Sequence, residues 1–121
     1  MQNFRNLVVW QKAHRLRLDI HRETKRYPKD ELFGLTGQTR RAAGSIGSNL
    51  AEGCGRGTDA DFKRFVQMAM GSACEVENHL LVGRDLSYLE KDAHDKLEIE
   101  ISDIKKMLSG LLKKLSQKAD S

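Results

Sequence analysis

The stretch RRAAGSIGSNLAEGCGRG, which runs from Arg40 to Gly57, decides how the whole sequence is interpreted. It contains five glycines, yet its first part repeats apolar residues at helical spacing. Each glycine inside a helix costs about 1 kcal/mol relative to alanine. The stretch is therefore either a helix whose glycines serve packing or a glycine-rich loop that binds phosphate.

The rest of the chain indicates helices throughout. Its 121 residues include one proline, Pro28, and almost none of the alternating β-branched runs that are typical of strands. Pro28 disfavours helical backbone at the residue before it, so the first helix ends there. Thr58 to Asp61 fits a capping box at the start of the third helix. Apolar residues spaced by three and four predict helices over residues 6–27, 58–85 and 91–118.

Three such helices joined by short connections make residues 35–53 most economically the remaining helix of a bundle. The predicted fold is all-α, a single-domain antiparallel up-down four-helix bundle over residues 1–121. A phosphate-binding loop needs a Gly-Lys-Ser or Gly-Lys-Thr sequence, and a dinucleotide fingerprint needs a preceding strand. The segment from Gly53 to Gly57 has neither, so it is predicted to be a turn, with Gly53 as the left-handed residue that stops the second helix.

A helical wheel of the second helix places small residues together on one arc: Gly44, Gly47, Ser48 and Ala51. Small side chains allow another backbone to approach closely, and this could offset the helical cost of the glycines. A helix in a lone bundle needs only one buried face. The arc therefore predicts contact from a second side, by another copy of the chain. The alternative, that the glycines are merely tolerated, stays open.

Much of the rest of this wheel is polar: Gln38, Arg41, Ser45, Asn49 and Glu52. Together with Glu75 of the third helix, these side chains are predicted to form a buried polar network or an interface between copies. A buried Glu52 would need a cationic or hydrogen-bonding partner. A metal-dependent nuclease site is the alternative, but helix capping already explains the nearby acidic residues, and no metal ligand set is predicted.

Positive charge is concentrated in the first half of the chain. Residues 1–64 hold 13 lysines and arginines against 7 acidic residues, whereas residues 65–121 hold 8 against 10, within a net charge of +4. Such asymmetry favours a polyanionic partner, most often nucleic acid. The candidate nucleic-acid-binding residues are Lys12, Arg15, Arg22, Arg26, Arg56, Lys63 and Arg64. For the first helix, an ordinary solvated face remains the alternative reading.

The buried seam of the first helix is predicted to run through Trp10, Ala13, Arg17, Ile20, Thr24 and Tyr27. Aromatic residues on such a seam favour core packing over base stacking. No apolar run is long enough to span a bilayer, and no leader is legible, so a cytoplasmic protein without membrane contact is expected. The two cysteines lie in no spaced Cys/His set, so both are expected to be free thiols. No cofactor is predicted.

The ordered motifs resemble the small bacterial S23, or 23S rRNA intervening-sequence, proteins. The resemblance covers nearly the whole chain. It is carried by Phe4, Leu7, Trp10-Gln11-Lys12-Ala13, Tyr27-Pro28, Glu31, Phe33-Gly34-Leu35-Thr36, Gln38, Arg40-Arg41-Ala42-Ala43, Ser45-Ile46, Asn49, Ala51-Glu52-Gly53, Gly55-Arg56, Ala69, Gly71-Ser72 and Glu75.

The resemblance implies a ring-like homopentamer of four-helix bundles, with a suspected role in nucleic-acid binding and no established enzyme chemistry. Some family reading frames lie inside rRNA intervening sequences. The architecture is also similar, more distantly, to pentameric accessory proteins of diversity-generating retroelements. The chain departs from the family at Leu50, where isoleucine is frequent, and at Gly44 and Gly47, where larger residues are often seen.

The resulting functional hypothesis is a non-enzymatic, oligomeric protein that binds nucleic acid through a basic surface. RNA and DNA are both open as ligands. The alternative is an assembly adaptor whose oligomer docks a protein partner without touching nucleic acid. An enzyme is not expected, because no nucleophile, base and orienting residue recur at a recognisable spacing.

Overall fold

The computed structural model describes residues 3–120, with side chains described for residues 3–118. Within this range the chain forms four long α-helices and two short 3-10 turns, and no strand. The helices are α1 (Val8–Thr24), α2 (Leu35–Cys54), α3 (Asp59–Asp85) and α4 (Lys91–Asp120). The 3-10 turns, Phe4–Asn6 and Lys29–Glu31, precede α1 and α2. The all-α prediction is confirmed.

Contacts between the helices show that neighbours run antiparallel. From the start of α1 to its end, Trp10 faces Gly47, Arg17 faces Gly44, and Thr24 bonds to Arg40. Lys105 of α4 bonds to Glu77 of α3, and Lys118 pairs with Asp59 at the opposite end. Each helix packs on the next in sequence, and α4 closes the bundle against α1. This is the up-down order that the short connections predicted.

The core forms where the inward stripes of the four helices meet. Apolar residues repeat at intervals of three and four along each helix, which gives each helix one continuous buried stripe. On α3 the buried stripe consists of Phe62, Phe65, Val66, Ala69, Ala73, Val76 and Leu80. On α4 it consists of Leu97, Ile101, Ile104, Leu108 and Leu115, with Leu111 half-buried. Fully buried side chains include Leu16, Ile20, Ile46, Leu50, Val66, Val76, Ile101, Ile104 and Leu108.

Helix α1 is shorter and rotated relative to the prediction. Its last turn tightens before Pro28, because the amides of residues 25, 26 and 27 bond to carbonyls three residues back. Val9 and Leu16 belong to the buried stripe, together with Ala13, Ile20 and Tyr27. Arg17, predicted on this seam, is instead exposed and lies beside α2.

The prediction of a left-handed Gly53 was wrong. Gly53 lies inside α2, the helix is capped by Gly55 at a φ of −81°, and no described glycine has a positive φ. The reason for glycine is close packing: a Cβ built on Gly53 would lie 2.8 Å from Phe65 Cβ and 3.0 Å from Phe62 Cδ1. The absent side chain lets α2 approach the two phenylalanines at the start of α3. Thr58 caps that start as predicted, accepting a 3.1 Å bond from the Asp61 amide.

We therefore expect Gly53→Ala to destabilise the protein by about 1–3 kcal/mol, because α2 and α3 must move apart to admit the methyl group. Gly71→Ala is the matched control, since a Cβ at Gly71, also within a helix, meets nothing within 4 Å. It should stabilise by up to about 1 kcal/mol through helix propensity alone. Thermal and urea unfolding of both variants checks this. A Gly53→Ala protein as stable as Gly71→Ala would contradict the packing explanation.

Candidate nucleic-acid interface

The glycine-containing arc of α2 is covered by α1 of the same chain. A Cβ built on Gly44 would lie 3.2 Å from Arg17 Cζ, and one built on Gly47 would lie 3.3 Å from Trp10 Nε1. Two large α1 side chains therefore lie across the two glycines. Contact with α1 of the same chain therefore accounts for the close approach that was predicted on a second side of α2. The prediction that another copy also covers this helix gains no support from Gly44 and Gly47.

The predicted buried polar network of α2 is wrong for the single chain. Gln38, Arg41 and Glu52 are exposed, as is Ser48 of the small-residue arc, and Glu52 pairs with Arg56 one turn later, at 3.3 Å. Their outward direction follows from the wheel, because α1 and α3 occupy the two flanks of α2.

The remaining members of the predicted network bond locally. Ser45 Oγ donates to the Arg41 carbonyl, and Asn49 Nδ2 donates to the Ser45 carbonyl, each over one helical turn. Glu75 is likewise exposed, on α3, where it pairs with His79 at 3.1 Å. Every polar residue predicted to join a network is thus satisfied by its own helix or by solvent. That these polar residues form an interface between copies of the chain remains a prediction.

Three of the predicted nucleic-acid-binding residues lie on the side of α1 that faces α4, where carboxylates offset their charge. Lys12 Nζ lies 3.9 Å from Asp103 Oδ2, and Arg22 Nη1 lies 2.9 Å from Asp19 Oδ1. Arg15 lies beside Glu100 of α4, where it favours the ionised carboxylate. Phosphate binding at this side would compete with these carboxylates.

The same side holds a close pair of acids, Asp19 of α1 and Glu100 of α4. The pKa of Glu100 is raised to about 7, first by burial and then by its hydrogen bond to Asp19 and the negative charge of that residue. Arg15 and Lys96 act in the opposite direction. This interface between α1 and α4 is therefore rich in negative as well as positive charge.

The other predicted cations are divided between the two ends of the bundle. Arg26 and Lys63 make no ion pair with any described residue. Arg56 and Arg64 each place a guanidinium 5.0 Å from the centre of the Phe65 ring. Arg64 also lies 3.9 Å from Asp61. The two arginines near Phe65 are therefore held by the ring and by neighbouring carboxylates, with much of their side chains still exposed.

A concentration of positive charge without carboxylate partners lies between α1 and α2 and was missed by sequence reasoning. We call it the α1–α2 basic cluster; its members are Arg17, His21, Lys25 and Arg40. Arg40 is fixed across the two helices, because its Nε donates to Thr24 Oγ1 at 2.8 Å and its Nη2 donates to the His21 carbonyl at 3.3 Å. Within residues 3–118, no carboxylate forms an ion pair with any member of this cluster.

The pKa of His21 reflects the positive charge of the cluster. The Arg40 guanidinium is the main cause of a lowered pKa of His21, and slight desolvation, Lys25 and Arg17 lower it further. Because the imidazole is exposed to solvent, burial alone cannot account for this. An added proton on His21 would meet three nearby positive charges. The same three charges would attract a phosphate.

A groove of about 240 Å³ adjoins the cluster, with Arg17 on its edge. Gly44, Gly47 and Ala51 form its floor on α2. Its α1 wall includes Trp10 and His14, whose rings stack with centroids 4.9 Å apart. The groove thus combines an aromatic wall, a floor of small residues and a cation.

A signal for this cluster was present in the sequence. On the α1 wheel, both acidic residues, Asp19 and Glu23, fall on one side, whereas Arg17, His21 and Lys25 fall on the other. The helix therefore has one mixed-charge side and one side without carboxylates. Which side faces α2, and that Arg40 would join it, became clear only from the packing.

Three further properties concern ligands and location. No group of three or more histidine, cysteine or acidic side chains among the described residues could hold a metal ion. Both cysteines are free thiols, Cys54 buried and Cys74 exposed. In the part of the chain that the structure describes, none of the helices combines the length and apolar character needed to cross a bilayer.

Fold and surface together define a small up-down helical protein with a cationic face between its first two helices. The sequence matches the family of 23S rRNA-intervening sequence proteins over residues 5–110, and the chain belongs to that family. The predicted resemblance is confirmed. None of the curated proteins matches the sequence.

A solved structure shares the fold. It is the 1.70 Å crystal structure of a protein with unknown function from the S23 ribosomal protein family of Bacteroides thetaiotaomicron VPI-5482. The two chains superpose with a TM-score of 0.79 at 23% sequence identity, and the match covers 88% of this chain and 99% of the other. At this identity the likeness supports the fold alone.

The potential at the α1–α2 basic cluster can be measured through His21. Its pKa should lie below the ordinary value of 6.5. Arg40→Gln should raise the pKa toward that value, and Lys25→Gln should raise it less. NMR titration of the imidazole ring protons measures both. Lys12→Gln, on the opposite side of α1, should leave the pKa of His21 unchanged; an equal rise in that variant would show that no local cluster exists.

The acid pair between α1 and α4 predicts a pH-dependent stability. The pKa of Glu100 is about 7 in the folded protein, against 4.5 ordinarily. The folded protein is therefore most stable with respect to this group below pH 4.5, and that stability is lost as the pH rises to about 7. Glu100→Gln removes the ionisation. After allowance for partial solvent screening, it should stabilise the protein by about 1 kcal/mol at pH 8.

Urea unfolding of the parent and Glu100→Gln at pH 4 and pH 8 measures this difference. The pH 4 pair is the control, because both side chains are then largely uncharged and should give similar stabilities. A variant less stable than the parent at pH 8 would show that ionised Glu100 stabilises the contact.

Proposed function

We propose that this chain is a non-enzymatic nucleic-acid-binding protein, acting as a homo-oligomer in the cytoplasm. The observation that carries the proposal is the α1–α2 basic cluster, in which three cations without carboxylate partners surround an exposed histidine. Phosphates neutralise such cations and release their counterions, which is the main source of non-specific affinity for nucleic acid. The family name, which refers to an intervening sequence of 23S rRNA, supports RNA as the first ligand to test.

The fixed position of Arg40 supports direct hydrogen bonds to a phosphate in addition to general electrostatic attraction. Its guanidinium is already held by Thr24 and by the His21 carbonyl, so little side-chain freedom remains to be lost when phosphate binds. Guanidinium groups also present several donors in one plane, which suits phosphate oxygens. Arg17, whose guanidinium lies beside Gly44, adds a second cation next to Arg40. The cluster is therefore proposed as the centre of the binding surface.

The groove beside Arg17 provides room for an unpaired base next to the phosphate site. Its wall includes the imidazole of His14, one face of which is stacked on Trp10. Aromatic side chains that stack with bases contribute affinity with little dependence on sequence. Single-stranded nucleic acid is accordingly proposed to bind more tightly than duplex.

Oligomerisation would multiply a modest charge. One chain carries a net charge of +4, whereas five copies, the number that the family resemblance implies, carry about +20. A strand that contacts several clusters in one assembly binds the later ones at high effective concentration. The pentamer is part of the proposal.

Two matched double variants test the location of binding. Arg17→Gln with Lys25→Gln removes two cations from the α1–α2 basic cluster, and Lys12→Gln with Arg15→Gln removes two from the other side of the same helix. The first should weaken RNA binding more, and should reduce the slope of log affinity against log salt by about one for each lost cation. The second should change binding less, since carboxylates already offset those cations.

Fluorescence anisotropy with labelled single-stranded RNA and duplex DNA, at two salt concentrations, measures these affinities, while circular dichroism checks the fold. Equal losses in the two variants would refute the cluster as the binding site. A parent protein that binds neither ligand at low salt would refute the proposed function and favour the adaptor. Cleavage of the RNA in the presence of magnesium, abolished by Glu52→Gln, would refute the non-enzymatic assignment.

A further inference from the structure

His94 is buried on the inward stripe of α4, in line with Leu97 and Ile101, and its side chain is 4% exposed. Neither of its ring nitrogens forms a hydrogen bond with a described residue. Nδ1 lies 3.6 Å from Asp95 Oδ1, which is too far for a hydrogen bond. A buried polar group without such a bond lowers stability, so an imidazole at this position needs an explanation.

Glu98, one turn later on α4, lies on the side of the second ring nitrogen. Its Oε2 is 4.0 Å from His94 Nε2, and this oxygen is also buried without a hydrogen-bond partner among the described residues. A movement of about 1 Å would bring the two atoms to hydrogen-bonding distance, and rotation about the bonds of the glutamate side chain can supply it. The two unpartnered groups can therefore satisfy each other without movement of either helix.

The carboxyl of Glu98 is instead bonded across to α3. It forms a hydrogen bond with Glu77, and Glu77 also accepts a 2.8 Å bond from Lys105 Nζ. The bond from Lys105 is the main cause of a lowered pKa of Glu77. Burial raises the pKa of Glu98, and the bond to Glu77 and its negative charge raise it further. The two acids therefore share one proton, which resides mainly on Glu98.

The described charges that act on Glu98 come from α3 and from α4 itself. On α3, Glu77 opposes its ionisation and Arg84 favours it; on α4, Lys105 favours it. Once Glu98 loses its proton, the hydrogen bond to Glu77 is replaced by repulsion between two carboxylates. His94 Nε2 is then a donor within reach, because a neutral imidazole can carry its proton on that nitrogen.

We infer that Glu98 is a proton-dependent switch between α3 and α4: protonated, it donates a hydrogen bond to Glu77, and ionised, it turns to accept one from His94 Nε2. The proton leaves to solvent, because the side chain of Glu98 is 34% exposed. The switch replaces a bond between two helices with a bond inside one, so the link between α3 and α4 weakens as the pH rises. It depends neither on nucleic-acid binding nor on the number of copies in an assembly.

NMR spectroscopy of the folded protein tests both positions of the switch. In the parent, the carboxyl carbon of Glu98 should titrate above pH 4.5, and the Nε2 resonance of His94 should shift at the same pH, because its hydrogen bond forms there. Glu98→Gln has nearly the same shape and cannot ionise, so the shift of His94 at that pH should disappear. A His94 resonance that does not respond to the titration of Glu98, or that shifts at the same pH in Glu98→Gln, overturns the inference.

Two variants that each remove one carboxylate test the role of α3. Glu77→Gln removes the negative charge that opposes ionisation of Glu98, so the titration of Glu98 and the accompanying shift of His94 should both move to lower pH. Asp95→Asn is the control, because Asp95 is exposed and lies beside the other ring nitrogen; it should leave both at the parent pH. A Glu77→Gln protein that titrates like the parent, or an equal movement in Asp95→Asn, would show that Glu77 does not control Glu98 and would overturn the inference.

Discussion

The close approach of α2 to its two neighbours is the constraint on which the rest of the structure depends. On one flank, the missing side chain of Gly53 lets the helix meet Phe62 and Phe65; on the other, Gly44 and Gly47 admit Arg17 and Trp10. A larger residue at Gly53 would meet a Cβ atom, which cannot rotate away, whereas at Gly44 it would meet the flexible end of an arginine. The glycines therefore differ in tolerance, although all three stand in one helix. Packing density near that of organic crystals makes such differences of a single methyl group consequential.

The same approach determines the electrostatics of α1. Because α2 carries no acidic residue until Glu52, the side of α1 that meets it finds no carboxylate partner, and Arg40 adds another cation there. The opposite side of α1 meets Glu100 and Asp103 of α4. Two neighbours of opposite character thus divide one cationic helix into a compensated side and an uncompensated side. The acids of α4 thus also determine where the basic surface lies, because they offset cations on the other side of α1.

The sequence predicted those features that depend on one helix at a time. Periodic apolar residues located the four helices to within a few residues, and Thr58 identified the start of α3, because both signals are local. The role of Gly53 could not be predicted in this way, since its reason is a contact with residues on another helix. The outward direction of Glu52 and the alignment of Arg40 with His21 likewise depend on helix rotation. The buried stripe of α1 includes Val9 and Leu16, and Arg17, predicted in the core, lies instead at the edge of the site.

The α1–α2 basic cluster lies along the side of the bundle, and it is the surface on which the proposed binding of nucleic acid depends. The proposed homo-oligomer would bring like charges together, at a cost that rises as the salt concentration falls. A bound strand would relieve that repulsion, so by linkage the two events would favour each other even without a change in the fold of any copy.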